Sequence, residues 1–364
     1  MRIGIVGCGN ISDIYIKNCK RFDVLSLAAC ADIDAERAKS KAEVYDLPRS
    51  CSVDEMLADP EIELILNLTP PQAHAEISLR AIEAGKHVYS EKPLALNRDE
   101  GRRLVEAAAA RNVRLGCAPD TFMGGALQTA RRIIDAGELG RPVSAVAFML
   151  CHGHESWHPN PDFFYQPGGG PVFDMGPYYL SALIGLIGPV RRVAAMSQTT
   201  FPERVVTAEA RRGEKIAVQT PTHMAAVLEF ENDATCSLIM SFDVWSHQLP
   251  PIEIYGADGS LSLPDPNNFG GSVRMRLGSG KSWRKLNSTH GYEENSRGVG
   301  VADMVSAIQS GRTHRASAEL AFHVLDVMQS IYDAAREGRH VDISSRCERP
   351  DRMPQGLNFG RVED

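Results

Sequence analysis

Two distant segments carry the residue types from which a proton-transfer site is built: Ser90-Glu91-Lys92-Pro93, and Gly168-Gly169-Gly170-Pro171 followed by Asp174 and Tyr178. A lysine or a tyrosine, oriented by an aspartate, can hold and move a proton at a hydroxyl if burial or a nearby charge brings its ordinarily alkaline pKa toward neutrality. Asp174 and Tyr178 stand at i and i+4, so on a helix they share one face. The glycine-rich entry lets that helix start close against another surface. Each segment alone also has a plain reading, because a lysine before a loop proline can be a solvated charge and an aspartate early in a helix can be its cap.

Upstream, Gly7-Cys8-Gly9-Asn10-Ile11-Ser12 follows an apolar strand and opens a helix. Small residues there let the backbone approach a pyrophosphate, and the helix N-terminus favours its charge. Gly7, Gly9, Asn10 and Ile11 are therefore candidate dinucleotide contacts, although Ser12 replaces the third glycine of the fingerprint. Asp32 ends the next strand, where its carboxylate can take both ribose hydroxyls of NAD and would repel the 2′-phosphate of NADP. The competing role for Asp32 is a cap on the helix at Ala35. Thr69-Pro70, His74 and the Glu91-Lys92-Pro93 triplet fall at the carboxyl ends of later strands, where ligands sit in a parallel sheet. His74 fits a cofactor contact or a structural role in the first turn of a helix.

Cys151, His152, His154, Glu155 and His158 are close in sequence. Their spacing fits no zinc pattern, and alternation on a strand would send His152 and His154 to one face and Cys151 to the other. No metal is expected. A polar pocket wall is, with Trp157 stacking on a sugar ring.

The elements that must position these groups follow from periodicity. Up to about residue 120, short apolar runs at 2–6, 24–31, 64–68, 87–90 and 114–117 alternate with helical patterns, which predicts a doubly wound parallel sheet. The first of these helices past the proline turn runs from Ala75 to a cap at Gly85, and another begins at Asn97. Beyond Gly124 the rhythm changes to a helix and then β-rich segments at 143–151, 190–200, 222–231, 234–242, 252–255 and 260–263, with helices at 173–186, 301–310 and 318–337. The fold class is α/β: a Rossmann domain over 1–122, and over 123–364 an α+β domain on an open, mostly antiparallel sheet. The polar tail after Ile343 shows no readable pattern.

At 364 residues, 43% hydrophobic and 23% charged, the chain has the length for about two domains and the composition of a globular protein. A net charge of −7 draws neither nucleic acid nor an anionic membrane surface. The opening residues run straight into a strand, and no apolar run approaches the roughly 20 residues of a membrane span. Eight cysteines without a CxxC pair read as reduced thiols, so a cytoplasmic location is expected.

The glycine fingerprint, the Thr69-Pro70 turn, the Glu91-Lys92-Pro93 triplet and the GGG segment followed by D-x-G together resemble the Gfo/Idh/MocA oxidoreductases, over nearly the whole chain. The resemblance implies an NAD(P)-dependent dehydrogenase acting on a secondary hydroxyl of a sugar, cyclitol or related polyol. It implies Lys92 as the active-site lysine, Asp174 as its acidic partner, and a homodimer or homotetramer assembled through the second domain. The histidine usual in that family four residues after the aspartate is replaced by Tyr178, so the proton acceptor stays open between Lys92 and Tyr178. Asp120 and Arg297 are candidate substrate contacts, and Arg297 has an equal reading as a surface arginine ahead of a helix. Two rival functions remain: a retained NAD cycled to achieve elimination, hydrolysis or epimerisation of a glycoside, and a non-catalytic NAD-sensing binding protein.

Overall fold

The computed structural model describes residues 1–363. Five short strands, β1 (Arg2–Val6), β2 (Ser26–Ala31), β3 (Leu64–Asn67), β4 (His87–Ser90) and β5 (Leu115–Cys117), pair in parallel in the order β2-β1-β3-β4-β5. Their apolar runs are buried along almost their whole length because helices cover both faces. Those helices are α1 (Ser12–Cys19), α2 (Ala35–Tyr45), α3 (Val53–Ala58), α4 (Pro71–Glu83) and α5 (Arg98–Ala110). Local chemistry sets their starts. Asp34, not Asp32, caps α2 by accepting from the Arg37 amide; Ser52 and Glu55 form a capping box on α3; Asn97 caps α5. Helix α4 begins at Pro71, four residues before the expected start at Ala75, because proline at the first helical position lacks only an N–H that has no partner there.

The rest of the chain contributes α6 (Gly125–Asp135), β6 (Pro142–Leu150), α7 (Gly170–Leu186), β7 (Val190–Gln198), β8 (Glu203–Val205), β9 (Lys215–Ala217), β10 (His223–Phe230), β11 (Thr235–Ser241), β12 (Ile252–Gly256), β13 (Gly259–Leu263), β14 (Arg274–Leu277), β15 (Arg284–Lys285), α8 (Val299–Ser310), α9 (Ala318–Glu337) and β16 (Val341–Asp342). A nine-stranded sheet runs β15-β14-β13-β12-β6-β11-β10-β7-β16. Only β6 and β11 pair in parallel within it. Both expected hairpins form, β10 with β11 around Asn232-Asp233 and β12 with β13 around Ala257-Asp258. Strands β8, β9, β14, β15 and β16 were not anticipated; they are two to four residues long, too short to show a period of two.

Helix α7, buried on nearly every side, lies against the sheet. Helix α9 packs on α7 and β7 and also on α5 and β5, so it joins the two sheets. The chain after residue 296 returns to the first sheet, where Ser317 bridges Gly116 and the Cys117 amide donates to Ala316. The tail has structure that its composition conceals. Arg349 donates to the carbonyls of Gly185 and Leu186 at 2.9 and 2.6 Å, and Arg131 donates to Gly185 and Pro350. Two guanidinium groups thus satisfy the last carbonyls of α7, the helix that carries Asp174 and Tyr178.

Candidate active site

At the end of β1 the backbone turns at Gly7 with φ +100°, and a Cβ there would lie 2.5 Å from the Leu68 carbonyl oxygen. Only glycine allows β1 and the loop after β3 to come so close. A Cβ on Gly9 would meet nothing within 4 Å, which leaves open space over the loop ahead of α1. Gly9 and Asn10 are exposed, and Ile11 is half-buried at the start of α1. Bare backbone, open space and a helix N-terminus form a cradle that fits a dinucleotide pyrophosphate. Asp32 closes its far side. Its Oδ2 accepts from the Cys8 amide at 2.8 Å, its Oδ1 accepts from the Asp34 amide at 2.9 Å, and Arg37 Nη1 lies 3.4 Å from Oδ1.

The loops after β3 and β4 form the opposite wall. Thr69 donates its hydroxyl to Asn67 Oδ1 at 2.7 Å, and Pro70 is exposed beside it. His74 does not reach the crevice. It is wholly buried, with Nδ1 2.8 Å from the Pro93 carbonyl oxygen and Nε2 2.7 Å from that of Thr69, so one imidazole fastens the two loops together. Burial holds its pKa below the ordinary imidazole value, although the two carbonyls pull the other way. Glu91 is also occupied by the protein: Tyr15 donates to its Oε1 at 2.7 Å and the Lys92 amide to its Oε2 at 3.0 Å.

Lys92 projects from this wall toward α7. Its Nζ donates to the Asp174 carbonyl oxygen at 2.6 Å and to Oδ1 at 3.1 Å, and stands 5.0 Å from the centroid of the Tyr178 ring. His154 Nε2 lies 3.3 Å from Asp174 Oδ2. Burial alone would lower the Lys92 pKa, but Tyr178, Asp174 and Glu91 reverse the effect and leave it raised. Burial also pushes the Tyr178 phenol above its ordinary value, with Lys92 and Arg297 opposing. At neutral pH Tyr178 therefore keeps its proton, and the carboxylates hold Lys92 as an ammonium. Asp174 stays ionised, since Lys92 and His154 outweigh the effect of burial on it.

These groups open on a cavity of about 470 Å³, lined also by Cys151, Trp157, His247, Asp265 and Asn267. Trp157 sits on its wall, as expected. Arg297 lies against the Tyr178 phenol and donates to Asn267 Oδ1 at 2.7 Å, which places it behind the cavity lining. Asp120 is a correction. It is buried under α8, where its Oδ2 accepts from the Gly298 and Gly300 amides at 2.9 and 3.0 Å, so it caps that helix and lines no part of the cavity. Composition could not separate the two roles, because the helix it caps starts 179 residues later.

His154 lines the cavity as part of the expected polar wall, while His247, Asp265 and Asn267 were missed as members of the site. Burial raises the pKa of the Asp265 carboxyl, whose Oδ1 accepts from the Asn267 amide at 2.9 Å. The cluster around His152 is divided among separate partners: His152 stacks on Trp245, His154 faces Asp174, and Glu155 pairs with Arg204. Among the described residues no group of three His, Cys, Asp or Glu is placed to hold a metal ion.

A dinucleotide cradle leading to a lysine held by an aspartate defines a class, the nicotinamide-linked oxidoreductases. The chain belongs to the Gfo/Idh/MocA family: the oxidoreductase family profile with an NAD-binding Rossmann fold matches residues 1–118, and the Gfo/Idh/MocA C-terminal domain matches residues 127–262. Its first part is thus an NAD-binding Rossmann domain. It is 30% identical over 272 residues to an uncharacterised oxidoreductase of Rhizobium meliloti, covering 74% of this chain and 75% of that one. It is 26% identical over 349 residues to an NADP-dependent D-xylose 1-dehydrogenase of Haloferax volcanii, covering 94% and 100%. Among solved structures, a levoglucosan dehydrogenase in complex with NADH and levoglucosan shares the fold, with a TM-score of 0.83, 20% identity and coverage of 95% and 100%. No helix among the described residues is long and apolar enough to cross a membrane.

Proposed function

We propose that this protein is an NAD-dependent dehydrogenase that interconverts a secondary hydroxyl and a ketone on a sugar, cyclitol or related polyol. The observation that carries this reading is Lys92 Nζ held by Asp174 on the wall of the cavity, on the loop after β4. Relatives named for action on xylose and on 1,5-anhydro-D-fructose support the substrate class. Eight free cysteines support a reducing, cytoplasmic setting.

NAD, when bound, takes or returns the hydride. The chain's own residues manage the proton and the orientation. As an ammonium, Lys92 delivers a proton from Nζ to a carbonyl oxygen. In the oxidative direction it must first release a proton before it can take one from the hydroxyl. Asp174 fixes Nζ through two contacts, and Tyr178 stays protonated and orients the substrate. The resting site is therefore set for reduction at neutral pH, while oxidation gains as pH rises and Lys92 loses its proton.

Lys92→Met is expected to lower kcat by about 10²- to 10⁴-fold with NAD binding intact, and Tyr178→Phe to cost much less. Steady-state kinetics on a panel of sugars, inositols and sugar acids, alongside NAD titration, reads both. Near-normal turnover in Lys92→Met, or a larger loss in Tyr178→Phe, would move the proton role to the phenol.

A further inference from the structure

Three strands of the large sheet end at one edge. β6 and β11 run parallel, and β7 and β11 are each antiparallel to β10, so the loops after Leu150, Ser241 and Gln198 leave the sheet on the same side. These loops carry Trp157, Phe201 and Trp245, which are 64%, 42% and 82% exposed. Trp157 and Trp245 are thus exposed on loops that leave one end of the same sheet.

Their arrangement is ordered. His152 stacks on Trp245 with centroids 3.3 Å apart and planes 15° from parallel, and Phe201 meets His152 edge-on at 6.4 Å. Two residues on, His154 stacks on Phe164 at 3.8 Å and lies 5.4 Å from Trp157. Gly153 turns the backbone between the two groups with φ +79°, and a Cβ there would run into Glu155 Oε2 and the Tyr165 hydroxyl. Cys151, Gly153, His154 and Trp157 line the Lys92 cavity, and His152, which lies between two of them in the chain, holds Trp245 and Phe201 against its ring.

Single exposed aromatics are common, but a contiguous patch of them marks a binding surface. Flat aromatic faces interleaved with imidazoles match a pyranose, which offers a C–H face and a hydroxyl edge. We propose that Trp245, with His152 and Phe201, forms a second ring-binding subsite, so that the preferred substrate is a disaccharide or glycoside. Its reacting ring lies at Lys92 and its second ring or aglycone on Trp245. This rests on the reading of the Lys92 cavity as a sugar site.

The test is kinetic, using glucose, galactose and xylose against their phenyl glycosides with NAD, in the wild type, Trp245→Ala and Trp245→Phe, with sedimentation of each. The wild type should prefer the phenyl glycoside in kcat/KM. Trp245→Ala should lower the ratio of glycoside to free sugar at least about tenfold, mainly through KM, and Trp245→Phe should recover most of it. An unchanged ratio, or an equal loss on both substrates together with a change of oligomeric state, overturns the proposal and makes the rim a subunit contact. If neither kind of substrate turns over, the dehydrogenase reading fails by itself. Calorimetric titration of the NAD-loaded protein with phenyl glycosides then decides the subsite: binding weakened by Trp245→Ala sustains it, and no binding to the wild type overturns it.

Discussion

We propose that Asp32 sets a preference for NAD through its hydrogen bonds as much as its charge. Tied to the Cys8 amide and only 6% exposed, its carboxylate cannot swing away from an incoming 2′-phosphate. Arg37, 52% exposed and 3.4 Å away, offsets part of that repulsion. The expected outcome is a kcat/KM preference for NAD over NADP of at least about tenfold, or roughly 1.4 kcal/mol. Arg37→Ala should widen this preference and Asp32→Ser should narrow it; a wild-type ratio at or below unity refutes the assignment. That Asp174 and Tyr178 share a face was legible from their i, i+4 spacing, whereas the meeting of Lys92 with Asp174 followed from the family resemblance. His247 and Asp265 were not legible, because they reach the cavity from loops, and no local pattern records which way a loop folds. The missing family histidine shows the same limit. An imidazole does stand against Asp174, but it comes from position 154, twenty residues upstream.

Helix α8 shows how a substrate candidate can become a structural element. The Asp120 carboxylate satisfies two amides at the start of α8 while its Oδ1, also buried, has no partner. Burial raises its pKa from 3.8 to about 6, against the opposing pull of the Gly298 and Gly300 amides and Arg297. Because the folded pKa lies above the unfolded one, ionised Asp120 destabilises the fold above about pH 6, and this penalty disappears as pH falls toward 4. A shift of about two pH units is on the order of 3 kcal/mol. Urea unfolding of the wild type against Asp120→Asn should therefore show the wild type gaining relative stability, by roughly 1 to 3 kcal/mol, between pH 7.5 and pH 5. A difference that stays flat with pH would rule out the raised pKa. Long elements such as α9 match their periodicity to the residue, at 318–337. Where α4 and α7 begin depended on prolines at their first turns, whose effect extends the helix upstream of its apolar pattern.

At the scale of the whole molecule, one face of the nine-stranded sheet is packed and the other is not. On β10, Met224, Ala226, Leu228 and Phe230 are buried against the helices, while Ala225 and Val227 point outward between His223 and Glu229. The register sets Ala225 beside Met196 of β7 and Ile239 of β11, and sets Val227 beside Ala194 and Ser237. Met196 is 80% exposed and Val227 50%. Small and apolar side chains thus form a continuous band across three strands, edged by the turn at Gly338 and His340. A band of this kind on an open sheet is suited to cover by an identical face, since a two-fold axis brings the same patch to itself. A stable pair needs about 1,200 to 2,000 Å² of buried surface, and a sheet face is broad enough to supply it. The chain should sediment as a dimer or tetramer at micromolar concentration. Val227→Asp, which buries a carboxylate at the centre of the band, should weaken assembly at least about 100-fold, or roughly 2.7 kcal/mol, while leaving the fold intact by circular dichroism. A wild-type monomer, or a Val227→Asp variant that assembles normally, would show that this face stays in solvent.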